Sequence, residues 1–557
     1  MSKKMTPERV SKEYNAGLDF NNGIDLYNCV QTNENFFIGK QWEGVKSNGL
    51  PTPVFNFLKR VVLFSVANVS TDNLKLHATP LPSSGENTSH ALETLTGILN
   101  DQFAHIFEFN KMGGLIREFC RNAAVDGDGC MYTYWDNDME TAQPSKGGIK
   151  TEVLMNTQVM FGNPNSRDVQ SQPYILIERR MLVKEARKRA KANGIGEDEL
   201  DKIVADSKEG GDGNLDRLGG DKVTVILRLW RDDKTKTIHG YEATRHATIH
   251  KEWDLGIKLY PITWMNWDYI QDCYHGQAMI TGLIPNQIFV NKLFAMSMIS
   301  LMTLAYPKVV YDKTKVPKWS AKVGAAIGVN GGVDGVAKII DPPAISPQIS
   351  QFIDATVSYT QKFLGASDVA LGDTRPDNTS AIIALQRAAA TPMELTKQNL
   401  LQCIEDQGRI YMEFMGEYYG ERYVEIDNPI DNQRLTIPFD FSTLHDVYFT
   451  INLDAGASSY WSEIASMQTL DNLLMQGKIS TVEYLKRLPA GQISDRETLI
   501  DIMQKQEMAA MQQMMGGGNP APTPADETLE VRGGQGYGAL QRKINETGEI
   551  PESVKEA

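Results

Sequence analysis

Residues 276–392 carry the pattern from which the fold is read: GQAMITGLIPNQIFVNKLFAMSMISLMTLA (276–305), YPKVVYDKTKVPKWSAKVGAAIGVNGGVDGVAKIIDPPAI (306–345), SPQISQFIDATVSYTQKFL (346–364), GASDVALGDTRPDN (365–378) and TSAIIALQRAAATP (379–392). The first segment repeats apolar residues with helical spacing at Leu283, Ile284, Ile288, Leu293, Met296 and Leu301, and Pro307 stops it. One long helix over 276–305 is expected. The second segment alternates Val and Ile under Gly and Pro punctuation, which predicts a small β-unit. A returning helix starts near Ser346, takes Pro347 in its first turn and runs to Leu364. The chain thus leaves along one helix and comes back along another. The loop that follows, about 14–16 residues, exceeds most connections in compact domains. It ends at Asn378, Thr379 and Ser380, residue types that cap helices. The next helix is expected from Ser380 to Tyr419, and Pro392 in its interior predicts a kink.

Outward from this stretch the signals are weaker. Residues 7–40 read as an amphipathic helix ending at Gly39, and helices are expected at 53–69, 87–109 and 113–124, with an extended segment at 75–82. Asp126–Gly127–Asp128–Gly129 is a turn signal, after which CMYTYW (130–135) changes to strand composition. Strands continue at 153–161 and 174–179. Two short charged helices follow at 181–194 and 197–207, then a glycine-bearing loop at 208–222 and antiparallel strands to about 253. Beyond residue 419, RYVEIDN, RLTIPFDF and DVYFTINLD read as strands, followed by helices at 459–475, 482–488 and 495–515. Residues 511–557 are rich in Pro, Gly and charge and are expected to be disordered. The fold class is α+β, mainly helical.

A chain of 557 residues exceeds one hydrophobic core, so two to four domains are expected. A net charge of -14 argues against a protein that grips nucleic acid over most of its surface. Cys29, Cys120, Cys130, Cys273 and Cys403 are odd in number and form no CxxC pair, the usage of reduced thiols in a cytoplasmic setting. The N-terminus has no apolar stretch, so no signal peptide is expected. The apolar run at 293–306 is shorter than the roughly 18–20 residues that cross a bilayer, and reads as a helix buried against protein.

GxxxxGK[ST], which cradles phosphates on backbone amides and a lysine, does not occur; nor do GxSxG, HExxH or GxGxxG. His239, His246 and His250 are the nearest metal candidate; His246 and His250 would share one face, but nothing nominates the third and fourth ligands zinc needs, and ordinary surface or half-buried histidines are the simpler reading. Asp126 and Asp128 resemble the start of a calcium loop that lacks its remaining acidic positions, so a helix-to-strand turn is expected. Lys308, Lys313, Lys315, Lys318 and Lys322 make the β-insert basic within an acidic chain. They are either solubilising charges or, if symmetry multiplies them, a collar facing phosphates. The stripe Met296, Met298, Met302 is read as helix packing, with a subunit interface as the alternative.

Several segments, in order, resemble the portal proteins of tailed bacteriophages: NENFFIGKQWEG (33–44), VDGDGCMYTYWD (125–136), Tyr274–His275–Gly276 through LIPNQIFVNKL (283–293), residues 363–392, and NLDAGASSYWSEIASMQTLDNLLMQGKIS (452–480). The likeness extends over most of residues 10–510, and the loop at 206–221 departs from it. The resemblance implies a wing of residues 1–275 with 379–455, stem helices at 276–305 and 346–364, a clip at 306–345, a tunnel loop at 365–378 and a crown at 456–510. Asp368, Asp373, Arg375, Pro376 and Asn378 are the candidate tunnel-loop residues, the five lysines the candidate clip contacts, and Pro392 the kink. It further implies a dodecameric ring at one capsid vertex of the virion, assembled in the host cytoplasm and passing double-stranded DNA. The partners it implies are the large terminase, a head–tail adaptor, and the major capsid and scaffolding proteins, with no membrane, cofactor or metal. An acidic channel wall would repel DNA and keep it from sticking.

Two other classes compete: another virion structural protein, such as an adaptor or capsid component, and a metal-dependent hydrolase using the histidines. Adaptors are usually much shorter, and a helix–insert–helix unit has no obvious use in a shell. A metal assay would reveal the hydrolase, and a ring seen by microscopy would exclude it.

Overall fold

The computed structural model describes residues 5–46, 49, 51–70, 74–80, 86–141, 143, 146–206, 221–305, 308–320, 327–340, 348–363, 391–427, 434–446, 449–454, 460–488, 499–500 and 502–503. They fall in two compact units, residues 1–462 and 463–557. Within the first, helix and strand mix as α+β.

A five-stranded antiparallel sheet runs Val159–Phe161, Ile175–Leu182, Lys222–Arg231, Ile238–Ala243, Thr248–Asp254, each strand beside its neighbour in sequence. Strand alternation sorts its residues by face. Ile175, Ile177, Leu227 and Leu229 join the main core, whereas Leu176, Ile226 and Tyr241 pack with Val10 of the first helix, Pro7–Gly23. Two polar ties hold that helix down. Glu13 pairs with the buried Arg228 at 2.6 Å, and Tyr14 donates to Glu178 at 2.8 Å.

A second sheet places Asp128–Asp136 between Gly148–Leu154 and Ile262–Asn266. The helix Met112–Asp126 feeds directly into its central strand, and the helix Glu394–Phe414 lies against it. Buried Gln407 of that helix joins two strands, accepting from Thr263 at 2.7 Å and donating to Thr133 at 2.6 Å. At Gly408 an added Cβ would lie 2.9 Å from Ile451 and 3.1 Å from Leu76, so only glycine lets the helix approach the pair Lys75–Pro80 and Phe449–Asp454. The late segment 391–454 therefore completes the body begun by residues 5–275.

Several boundaries differ from expectation. The helix expected at 7–40 is two, Pro7–Gly23 and Leu26–Ile38, because Asp25 takes a left-handed φ of 55°. The helix expected at 276–305 begins only at Ile284, after a 3-10 turn at Thr281–Leu283. Pro285 has no amide hydrogen to donate and belongs in a first turn. Gly276 is also drawn into the body, where a Cβ would meet the Asp268 carbonyl at 2.7 Å. Pro392 sits in the 3-10 turn Thr391–Met393 that leads into Glu394–Phe414, and a π-turn at Met415–Tyr419 closes that helix. Residues 364–390, including the upstream part of the expected kinked helix, lie outside the described residues. So do 207–220 and the tail after 503. The helix expected at 197–207 is only the turn Glu197–Leu200, and the strand Ile262–Asn266 was not anticipated.

In the second unit the helix Tyr460–Met475 continues from the boundary. Gly477 turns the chain at φ 64°, and Ser480 caps Thr481–Arg487 by accepting from Glu483 N–H at 3.2 Å. Tyr484 donates back to Asp471 at 2.6 Å.

The tightest polar knot of the body is Asp128, 0% exposed. Its Oδ1 accepts from Gly276 N–H and Asn266 Nδ2, each at 2.7 Å; its Oδ2 accepts from His275 Nδ1 at 2.7 Å and Asn156 Nδ2 at 3.2 Å. His275, 2% exposed, lies against Tyr274 and Trp264 and reaches Asn21 through Nε2 at 3.2 Å. Four donors satisfy a carboxylate that would otherwise be costly to bury. Asp128→Ala strands His275 and the Gly276 amide, so a loss of about 3–5 kcal/mol is expected in urea unfolding; a change below about 1 kcal/mol would show the knot to be incidental.

Candidate functional site

Immediately after this knot the chain enters the helix Ile284–Ala305. Its base is fixed by buried amides. Gln287 donates to the Phe55 carbonyl at 2.6 Å and to Asn291 Oδ1 at 3.0 Å, and Asn291 donates to Gln41 at 2.6 Å. Phe55 stacks on Phe294 at 3.9 Å. The return helix, Gln348–Phe363, packs beside it, and Asn286 near the start of one donates to Thr360 near the end of the other at 3.1 Å. The two helices are therefore antiparallel. Between them Lys308–Tyr311 pairs antiparallel with Ala337–Ile340, which is the expected out-and-back helix, β-insert and helix.

Beyond Lys292 the outgoing helix is largely apolar on all sides, a composition that belongs inside a core. Yet Phe289, Met296, Met298, Leu301 and Met302 are exposed, the last two at 57%, as are Phe352 and Tyr359 of the return helix. The methionines of the stripe are therefore exposed rather than packed among the described residues. Exposed large apolar side chains in this number mark a contact with another protein surface.

In the insert, Val316 and Val336 are buried and Tyr311 stacks on Trp319 at 5.0 Å. Asp312 accepts from Thr314 N–H at 2.9 Å, and these local hydrogen bonds hold its carboxyl below the usual range. Lys313 and Lys318 are exposed and Lys315 is half-buried, all in the few residues after the first strand. Lys322 lies outside the described residues, and Lys308 is placed by its backbone alone. Asp368, Asp373, Arg375, Pro376 and Asn378 also lie outside them.

The histidines do not converge. His239 hydrogen-bonds Glu252 at 3.2 Å, His250 packs edge-on against Trp253, and His246 is exposed. Among the described residues no group of His, Cys, Asp and Glu is arranged to hold a metal ion. Five cysteines are free, and burial pushes the Cys120 thiol up to about 12. A cavity of about 520 Å³ lies between the strand Ile262–Asn266 and the helix Glu394–Phe414, lined by Arg167, Asp168, Asp406 and Arg409 among others. Among the described residues no helix is long and apolar enough to cross a membrane.

Sequence reasoning read Asp126 and Asp128 as turn residues and missed their burial. The signal lay in Tyr274–His275–Gly276, a histidine with no surface role next to a glycine. Asp126 is itself buried, and desolvation pushes its carboxyl up to about 7, with Arg121 opposing in part.

An α+β body that sends out an antiparallel helix pair with exposed apolar side chains, joined by a lysine-bearing hairpin, has the build of a structural subunit rather than of an enzyme with a closed active site. The sequence model of the phage P22-like portal proteins matches residues 117–526, and the chain belongs to that family. A search of curated proteins finds no match. The family is structural rather than enzymatic, and its members act in DNA packaging as an oligomeric ring associated with the capsid.

Leu301→Glu combined with Met302→Glu is expected to abolish ring assembly, seen by native mass spectrometry, while leaving the subunit's thermal midpoint unchanged, since exposed substitutions cost little in the subunit itself. Rings that persist in this variant would place the contact elsewhere. A carboxyl raised in the folded state is carried without penalty below about pH 4, where it is protonated in both states. The penalty grows as pH rises towards 7, because only the unfolded chain ionises it freely. Asp126→Asn is therefore expected to stabilise the protein at pH 8 and not at pH 4, and equal effects at both pH values would contradict the burial argument.

Proposed function

We propose that the chain forms a dodecameric portal ring at one capsid vertex, with residues 276–305 and 346–364 as stem, 306–345 as clip, 365–378 as tunnel loop, 1–275 with 379–455 as wing and 456–510 as crown. The observation that carries this reading is the antiparallel helix pair whose large apolar side chains stay exposed among the described residues. A closed ring needs head-to-tail contacts, and one such pair per subunit supplies them. The clip lysines Lys308, Lys313, Lys315, Lys318 and Lys322 then form a positive collar that docks the large terminase and later the head–tail adaptor, or meets DNA. Asp368, Asp373, Arg375, Pro376 and Asn378 narrow the bore around DNA as it is packaged and ejected. Pro392, placed just before the helix Glu394–Phe414, lets the loop shift without disturbing the body. Assembly takes place in the host cytoplasm with the scaffolding and major capsid proteins.

Negative-stain microscopy tests the ring directly: an annulus with an axial hole is expected. Deleting residues 368–376 should leave that annulus intact while particles lose DNA filling or retention. Particles with full DNA content would refute the tunnel-loop role and leave the ring standing.

A further inference from the structure

The helix Val183–Ala192 is strongly basic in an acidic chain: Lys184, Arg187, Lys188, Arg189 and Lys191 stand against the single carboxylate Glu185. Ala186 and Ala190 are fully buried on a small separate core with Ile203, Val223 and Ile249. At about 3.6 residues per turn, Lys184, Lys188 and Lys191 share one narrow arc on the side opposite that alanine seam. The arginines on the flanks are engaged. Arg187 donates to the Ile203 carbonyl at 2.9 and 3.2 Å, and Arg189 pairs with buried Glu242 at 2.7 Å. The three lysines are exposed and have no hydrogen-bond or ion-pair partner among the described residues.

We propose that this lysine crest is a second contact for double-stranded DNA, separate from the helices that form the channel and indifferent to base sequence. The proposal rests on the portal reading for bringing DNA to the molecule. From Lys184 to Lys191 the crest spans about 10 Å of helix. Over that length one strand of a duplex presents about three phosphates, matching three cations. Lysine is a point charge, and the crest carries no Arg, Asn or Gln to read base edges, so the contact is to the backbone. An acidic protein is the less favoured partner, because the crest offers no aromatic or aliphatic anchor of the kind that dominates protein interfaces. The carboxylates of the neighbouring turn, Glu197–Leu200, keep the positive potential local to the crest. In a ring each subunit adds one crest, so weak single contacts sum.

Closed-circular plasmid DNA cannot thread a closed ring, so its binding to the assembled protein reports the outer surface alone. The wild-type ring is expected to bind it with an affinity that falls steeply with salt. Reversing the crest (K184E, K188E and K191E together) should weaken binding at about 100 mM salt by at least tenfold and flatten the salt dependence. The neutral set K184Q, K188Q and K191Q should fall between, which guards against a folding defect in the charge-reversed protein. Reversing three other exposed lysines of the same body (K234E, K251E and K258E) should change affinity less than about twofold, which separates the crest from net charge. Absence of wild-type binding, equal loss in both reversed variants, or equally tight crest-dependent binding of poly-glutamate would each overturn the proposal. The channel reading is tested apart from this, by the DNA content of particles.

Discussion

A single buried carboxylate sets the geometry on which everything downstream depends. Asp128 ends the turn that converts the helix Met112–Asp126 into the central strand Asp128–Asp136, and it also grips His275 and the amide of Gly276. The chain between Gly276 and Ile284 is consequently tied to the body, and the helix that follows starts from a fixed point with a fixed direction. A second set of ties, through Gln287 and Asn291, repeats the constraint one turn further on. An apolar helix with a mostly exposed far end is tolerable only if its near end is held this firmly. Otherwise its most favourable course would be to collapse onto its own chain.

Much of this was legible in the sequence, and the reasons are physical. The out-and-back helices and their β-insert were visible because proline and glycine punctuate them and the apolar spacing changes at each junction. The helix start was misplaced because a periodic pattern ran on through residues whose backbone is spent on tertiary bonds, and Pro285 was passed over. The strand Ile262–Asn266 was missed because it is buried on both faces and shows no alternation. Asp128 was legible as a turn former and not as a hub, since a carboxylate's partners here lie 28 to 148 positions away along the chain. The methionine stripe followed the commonest rule, apolar means packed, whereas Met296, Met298 and Met302 are exposed.

Charge is handled differently in each part of the molecule. Inside the body, Arg228 is matched by Glu13 and flanked by the rings of Tyr174 and Trp230, so a cation is buried without being left bare. On the insert Lys313 and Lys318, and on the helix Val183–Ala192 Lys184, Lys188 and Lys191, stand in solvent with no ion-pair partner among the described residues. An acidic protein that leaves only local patches of positive charge can meet a polyanion at chosen points and slide past it everywhere else.

The pairing of Lys75–Pro80 with Phe449–Asp454 closes the body with strands roughly 370 residues apart, and at about 5–20 residues per second a ribosome needs on the order of half a minute to make the intervening chain. Until then the first strand has no partner and the helix Glu394–Phe414 has not arrived to seal the second sheet. The apolar helices are thus synthesised before the body that must carry them is finished. Their exposed faces pass through a window in which self-association would trap an immature subunit, so the order of synthesis places a demand on chaperoning that a continuous domain of the same size would escape.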